Sequence, residues 1–105
     1  LVRGLDLLLS RNIGLVNMSL SGADNPVLRA AVEAAVARGT ILVAAAGNDG
    51  PRAAPVYPAA YNGVIAVTAI DSAGKLYRRA NRGDYVDFAA PGVDLGTAAA
   101  TQTRR

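Results

Sequence analysis

The sequence contains no cysteine and no histidine. Without cysteine there are no disulfide staples and no thiolate metal sites, and the redox compartment leaves no mark. Without histidine the chain lacks the commonest general base and the commonest metal ligand together. Aromatics are scarce as well, with four tyrosines and one phenylalanine. The basic residues are scattered apart from Arg78-Arg79-Arg82 and Arg104-Arg105. A nucleic-acid surface calls for a basic stripe interleaved with aromatics, so the net charge of +3 does not point to nucleic acid. No run nears the roughly 18 apolar residues of a membrane helix, so no membrane association is expected. The first residues carry no charged-then-apolar export pattern, and any export signal of a parent protein is expected elsewhere.

What is present is apolar. Of 105 residues, 51% are hydrophobic and 18% charged, which suits one small globular domain with a modest core. So few charges also fit the inner part of something larger. In residues 1–11, Leu1, Leu5, Leu8 and Leu9 share a helical face, with Arg3 and Asp6 off it. Asn12 and Gly14 end that helix. "IGLVNMSL", residues 13–20, reads as a strand broken by Ser21-Gly22. The clearest helix is 26–38, with Asn25 as N-cap, Pro26 at the first helical position and Gly39 as the stop. Its buried stripe is Leu28, Ala31, Val32, Ala35 and Val36, with Arg29, Glu33 and Arg38 facing solvent. Strands follow at 41–46 and 64–70, a turn at Asp71-Ser72-Ala73-Gly74, and shorter strands near 75–80 and 85–90.

Strand, helix, strand over 13–46 is a βαβ unit, so the two strands should run parallel with a right-handed crossover. Their continuous apolar character predicts cover on both faces. The expected fold is therefore α/β, a three-layer sandwich around a mainly parallel sheet. Ligands of such sheets sit at the carboxyl ends of the strands. Two of those ends are Ser19-Leu20-Ser21-Gly22 and Ala45-Ala46-Gly47-Asn48. Read alone, "AAAGN" fits tight packing followed by an ordinary Asn-Asp-Gly turn. The alternative is a strand end kept small to admit a bound chain, with the Asn amide as donor to a negative group, though a single Asn after a strand is a weak signal.

Read over its length, the order "VNMSLSG", capped helix, "GTILVAAAGNDGP", "YPAAYNGVIAVTAID", "NRGDYVDFAAPGV" resembles the middle of the subtilisin-like serine peptidases, the subtilases of peptidase family S8. The likeness runs from about residue 4 to 94, with five motifs in the family's order. It implies that Asn48 is the oxyanion-hole residue, a neutral donor to charge that develops only in the transition state. It implies that a polypeptide substrate pairs along Ser19, Leu20, Ser21 and Gly22 as an added strand. Ala45, Ala46 and Gly47 would wall the pocket for the side chain before the scissile bond. Val56, just before Tyr57-Pro58, would take the pocket floor, where the family often has glycine, the alternative being that it turns away and packs into the core. Ser21 would narrow the entrance. The loop from Asn48 to Tyr57 is somewhat shorter than in well-known members.

The same resemblance says what is missing. The family's triad runs Asp, His, Ser, and none of its three motifs is here. The Asp and His motifs are expected before residue 1 and the Ser motif after residue 105. Ser10, Ser19, Ser21 and Ser72 stand in no nucleophile motif. Asp71 and Asp87 read as structural or solvated. Residues 1–105 are thus expected to be the central part of a peptidase domain, inactive alone and needing the remainder of that domain to complete the fold. No cofactor is required and no metal-ligand cluster is expected. Tyr57 to Val64 does match a stretch whose carbonyls hold a weak structural cation, calcium or sodium, in some members. Localisation by resemblance is extracellular or periplasmic. A different class of answer is a non-catalytic peptide-binding module, a truncated or degenerate subtilase. A Rossmann-type nucleotide site would need a G-x-G-x-x-G turn, and Ser-Gly-Ala-Asp-Asn-Pro stands there instead.

Overall fold

A computed structural model describes residues 2–93. Helix α1 spans Val2–Ser10 and buries Leu5 and Leu9, four residues apart on one face, with Leu8 half-buried beside them. Leu1, expected on that face, lies outside the described residues. Asn12 ends the helix in the left-handed region, at φ 57°.

Strand β1 is Leu15–Met18, shorter than 13–20 at both ends. Its parallel partner β2, Ile41–Ala45, pairs with it only from Leu15↔Ile41 to Met18↔Ala44. Beyond Met18 no ladder partner holds the chain extended. Between the two strands lies α2, Pro26–Ala37. The Asn25 carboxamide oxygen accepts from the N–H groups of Val27 and Leu28 at 2.8 and 3.3 Å. Leu28, Val32 and Ala35 are its buried residues. The Arg38 guanidinium donates to the carbonyl of Leu9 at 3.1 Å, joining the ends of the two helices.

Strands β3, Val64–Ile70, and β4, Phe88–Pro91, complete a four-stranded sheet in the order β1-β2-β3-β4 with every pair parallel. The predicted strand near 85–90 is β4, shifted toward the C-terminus. The predicted strand near 75–80 does not form. Asp71 folds the chain into a turn, its carboxylate accepting from Ala73 and Lys75 N–H, each at 2.9 Å. After the turn only Leu76 bridges back to Ile70. With β2 and β4 already flanking β3, only the end of that strand remains to pair.

Burial alternates along β1 to β3. Val16, Met18, Leu42, Ala44, Val64 and Ala66 join Leu5, Leu9, Leu28 and Val32 of the helices in one core. The opposite face carries Leu15 and Ile41, 61% and 52% exposed, and the half-buried Val43, Ile65 and Val67. The α/β class and the parallel sheet therefore stand. Cover on both faces was expected, and the helices among the described residues cover one.

Candidate active site

The parallel register brings the carboxyl ends of β1, β2 and β3 to one rim of the sheet. At the end of β2 the Ala46 N–H still donates to the Val67 carbonyl, at 2.9 Å. The chain then turns at Gly47, with φ +105°. A Cβ there would meet Asn81 Nδ2 at 2.7 Å and a γ-methyl of Val56 at 3.1 Å. Both backbone angle and space thus require glycine.

Three hydrogen bonds hold residues 47–50 against residues 79–81. Asn81 N–H donates to the Gly47 carbonyl at 2.9 Å, Asp49 N–H to Asn81 Oδ1 at 2.8 Å, and Gly50 N–H to the Arg79 carbonyl at 2.9 Å. The Tyr85 hydroxyl adds a bond to the Ala46 carbonyl at 2.8 Å. None of these uses the Asn48 side chain, and Asn48 is exposed. The sequence reading missed Asn81 and Tyr85. A buried asparagine in Arg-Arg-Ala-Asn-Arg-Gly looks like any turn residue until the long-range pairing is seen.

Two shallow cavities open on the uncovered face at this rim. One, of about 240 Å³, lies between Ser19 and Ala45 over Asn17, Val43 and Val67. The other, of about 230 Å³, is bordered by Ala45, Ala46, Gly47, Asn48 and Thr68. Ala45 and Val67 border both. No ionisable side chain lines either cavity. The Thr68 hydroxyl is buried without a hydrogen-bond partner among the described residues. That hydroxyl lies on the covered face with Val64 and Ala66, so what the rim offers a ligand is the neutral side chains of Asn17, Ser19 and Asn48, and backbone.

Of the other candidate residues, Ser19, Leu20, Ser21 and Gly22 are all exposed. Leu20 and Ser19 also border an apolar cavity of about 420 Å³ between α1 and β1. Val56 is 8% exposed, packed in the core cluster with one γ-methyl beside Gly47. The Tyr57–Pro58 peptide that follows is cis.

Besides Asp71 in its turn, Asp87 and Asp24 put their carboxylates to structural use. Asp87 accepts from Ala66 N–H at 2.9 Å, and its own N–H donates to the Ala66 carbonyl at 2.9 Å. Asp24 pairs with Arg29, and one of its oxygens lies 2.9 Å from the Tyr61 hydroxyl. Burial pushes the Tyr61 hydroxyl above its ordinary value of 10.0, opposed by its bond to the Asn25 backbone. Arg29 is held above its usual value by its hydrogen bond to Asp24. Among the described residues no three His, Cys, Asp or Glu side chains gather as a metal site.

The family model described as "Subtilase family" matches residues 2–105. The chain belongs to that family. Among curated relatives of this subtilase chain, the minor extracellular protease Epr of Bacillus subtilis (strain 168) is 41% identical over 96 residues, 90% of this chain and 15% of the relative. The major intracellular serine protease of the same organism is 37% identical over 100 residues, 90% of this chain and 31% of the relative. Among solved structures, the psychrophilic subtilisin-like protease Apa1 from the Antarctic psychrotroph Pseudoalteromonas sp. AS-11 superposes with a TM-score of 0.80 at 34% identity. That match covers 88% of this chain and 21% of Apa1. The subtilase chain thus spans less than a third of each of these relatives. All three are proteases by name, the intracellular one a serine protease, and the fold is shared with Apa1.

Proposed function

We propose that this chain is the central part of the catalytic domain of a serine endopeptidase that cleaves polypeptides by acyl transfer. In this reading a serine Oγ attacks the scissile carbonyl carbon and a histidine takes its proton. An aspartate orients that histidine. The carbonyl oxygen becomes an oxyanion, to which the Asn48 amide donates. Collapse of the intermediate expels the amine, which leaves with the histidine's proton, and water then hydrolyses the acyl-enzyme. The chain has no histidine, so the base comes from outside it, and residues 1–105 alone are inactive.

One observation carries the reading. Asn48 stands exposed at the carboxyl rim of a parallel sheet, on a loop whose Gly47 carbonyl and Asp49 and Gly50 N–H groups are hydrogen-bonded to residues 79–81. A neutral amide held in place costs no reorganisation when charge develops. The substrate would pair along Ser19 to Gly22 as an added strand, with Ala45, Ala46 and Gly47 as one pocket wall and Val56 as its floor. No cofactor enters this chemistry. A calcium or sodium ion weakly held by carbonyls of residues 57–64 belongs to the same proposal as a structural aid. Extracellular or periplasmic location is proposed on the likeness to the extracellular Epr. Cell fractionation decides it against the intracellular relative.

The test is Asn48→Ala in the full-length protein. We expect kcat to fall with little change in KM, since the donor acts mainly in the transition state. Removal of one oxyanion donor in subtilisin, itself a member of this family, costs roughly 10²–10³ in kcat, and that magnitude is taken over from it. An unchanged kcat would return Asn48 to a turn role. A full-length protein that binds peptides in this groove without cutting them would be the non-catalytic module instead.

A further inference from the structure

We infer that Asn81 is the positioning residue for Asn48, fixing both peptide planes from which the Asn48 side chain projects. The inference rests on the oxyanion role proposed above. The Gly47 carbonyl belongs to the peptide that precedes the Asn48 α-carbon, and it accepts from Asn81 N–H at 2.9 Å. The Asp49 N–H belongs to the peptide that follows it, and donates to Asn81 Oδ1 at 2.8 Å. With both planes tied to one residue, φ and ψ of Asn48 are set, and only its side-chain torsions stay free. A donor meant for a developing charge gains from such fixing, because misplacement by about an ångström can cost on the order of 10² in rate.

Asn81 is itself immobile. It is 1% exposed, among the largest fully buried side chains of the described residues, and its carboxamide lies against the Gly47 α-carbon. Its Nδ2 is buried with no partner among those residues. Burying an unpaired amide N–H group is unfavourable, so packing alone favours an apolar side chain here. Leucine would fill the volume yet could not accept from Asp49. Aspartate could accept, but would bury a negative charge close to the site of a developing oxyanion. Asparagine is the residue of this shape that accepts without charge.

The experiment is a double-mutant cycle in the full-length peptidase: wild type, Asn48→Ala, Asn81→Ala and the double variant. Active-site titration in each case counts only folded enzyme. We expect Asn81→Ala to lower kcat roughly ten- to a hundred-fold with KM changed less than about threefold. In the Asn48→Ala background the same substitution should cost nothing further, because the group it positions is gone. If Asn81→Ala does not fold, Asn81→Ser, which keeps a shorter acceptor, is carried through the same cycle. Equal losses of kcat with and without Asn48, or no loss in either background, overturn the positioning role while leaving the oxyanion reading intact. An Asn48→Ala variant with wild-type kcat defeats the oxyanion reading itself.

Discussion

Gly22 and Tyr57 exchange two backbone hydrogen bonds, Gly22 N–H to the Tyr57 carbonyl at 2.8 Å and Tyr57 N–H to the Gly22 carbonyl at 2.9 Å. This antiparallel bridge joins the segment after β1 to the loop that carries Val56. The proposed strand-pairing edge and the proposed pocket floor are thus joined directly through the backbone. A peptide aligned as proposed on this strand end would be held in fixed relation to Val56, with the N–H and carbonyl of Gly22 itself already taken up by Tyr57.

Substrate preference should follow from that. One γ-methyl of Val56 occupies space beside Gly47 that glycine would leave open. Forcing an aromatic ring into it would overpack the site by about 1–3 kcal/mol, or roughly ten- to a hundred-fold in kcat/KM. The full-length enzyme should prefer Ala or Val before the scissile bond. Val56→Gly should raise the ratio of Phe to Ala peptides about tenfold or more. The ratio is independent of how much enzyme survives the loss of a core side chain. Wild-type preference for Phe, or a ratio that does not move, would remove Val56 from the floor.

The isolated 105-residue chain should neither hydrolyse peptides above buffer nor react with a serine-directed fluorophosphonate. Ser10 donates to the Leu7 carbonyl at 2.7 Å on the surface of α1, and Ser72 sits in the Asp71 turn. Ser19 and Ser21 have no base near them in a chain without histidine. Intact-mass measurement after labelling checks this. One stoichiometric adduct on any of the four serines would contradict the proposed division of labour.

Tyr61 should give stability an alkaline limb. Burial raises its pKa above 10.0, so the folded state favours the neutral hydroxyl. That contribution is complete below pH 10, the unfolded value, and is lost as pH rises from there through the folded value. Tyr61→Phe removes the titration together with the contacts to Asp24 and Asn25. The variant should therefore be less stable at pH 7 and decline less steeply above pH 10. Denaturant unfolding of the full-length protein between pH 7 and 11 reads both effects. Parallel curves for the two proteins would show that Tyr61 does not titrate differently on folding.

Local chemistry made much of this legible from sequence. Asn25-Pro26 and Gly39 bound α2 because capping and φ preferences act within a few residues. Strand 64–70 matches β3 because its apolar run is bounded by turn residues on both sides. The order of motifs was enough to point to the family. The strand placed near 75–80 failed because the Asp71 turn returns the chain onto the end of β3, where only the Leu76–Ile70 bridge forms. Which face of the sheet is covered was equally hidden, since a run of apolar residues does not say where helices will pack. Asn81 is the clearest case. Its type and neighbours read as a turn, and only the fold carries it across to the Asn48 loop, where burial and two hydrogen bonds give it a task. Sequence determined the local elements and the candidate donor because those depend on neighbours in the chain. Tertiary structure alone decided what holds that donor, because the holding contacts join residues more than thirty positions apart.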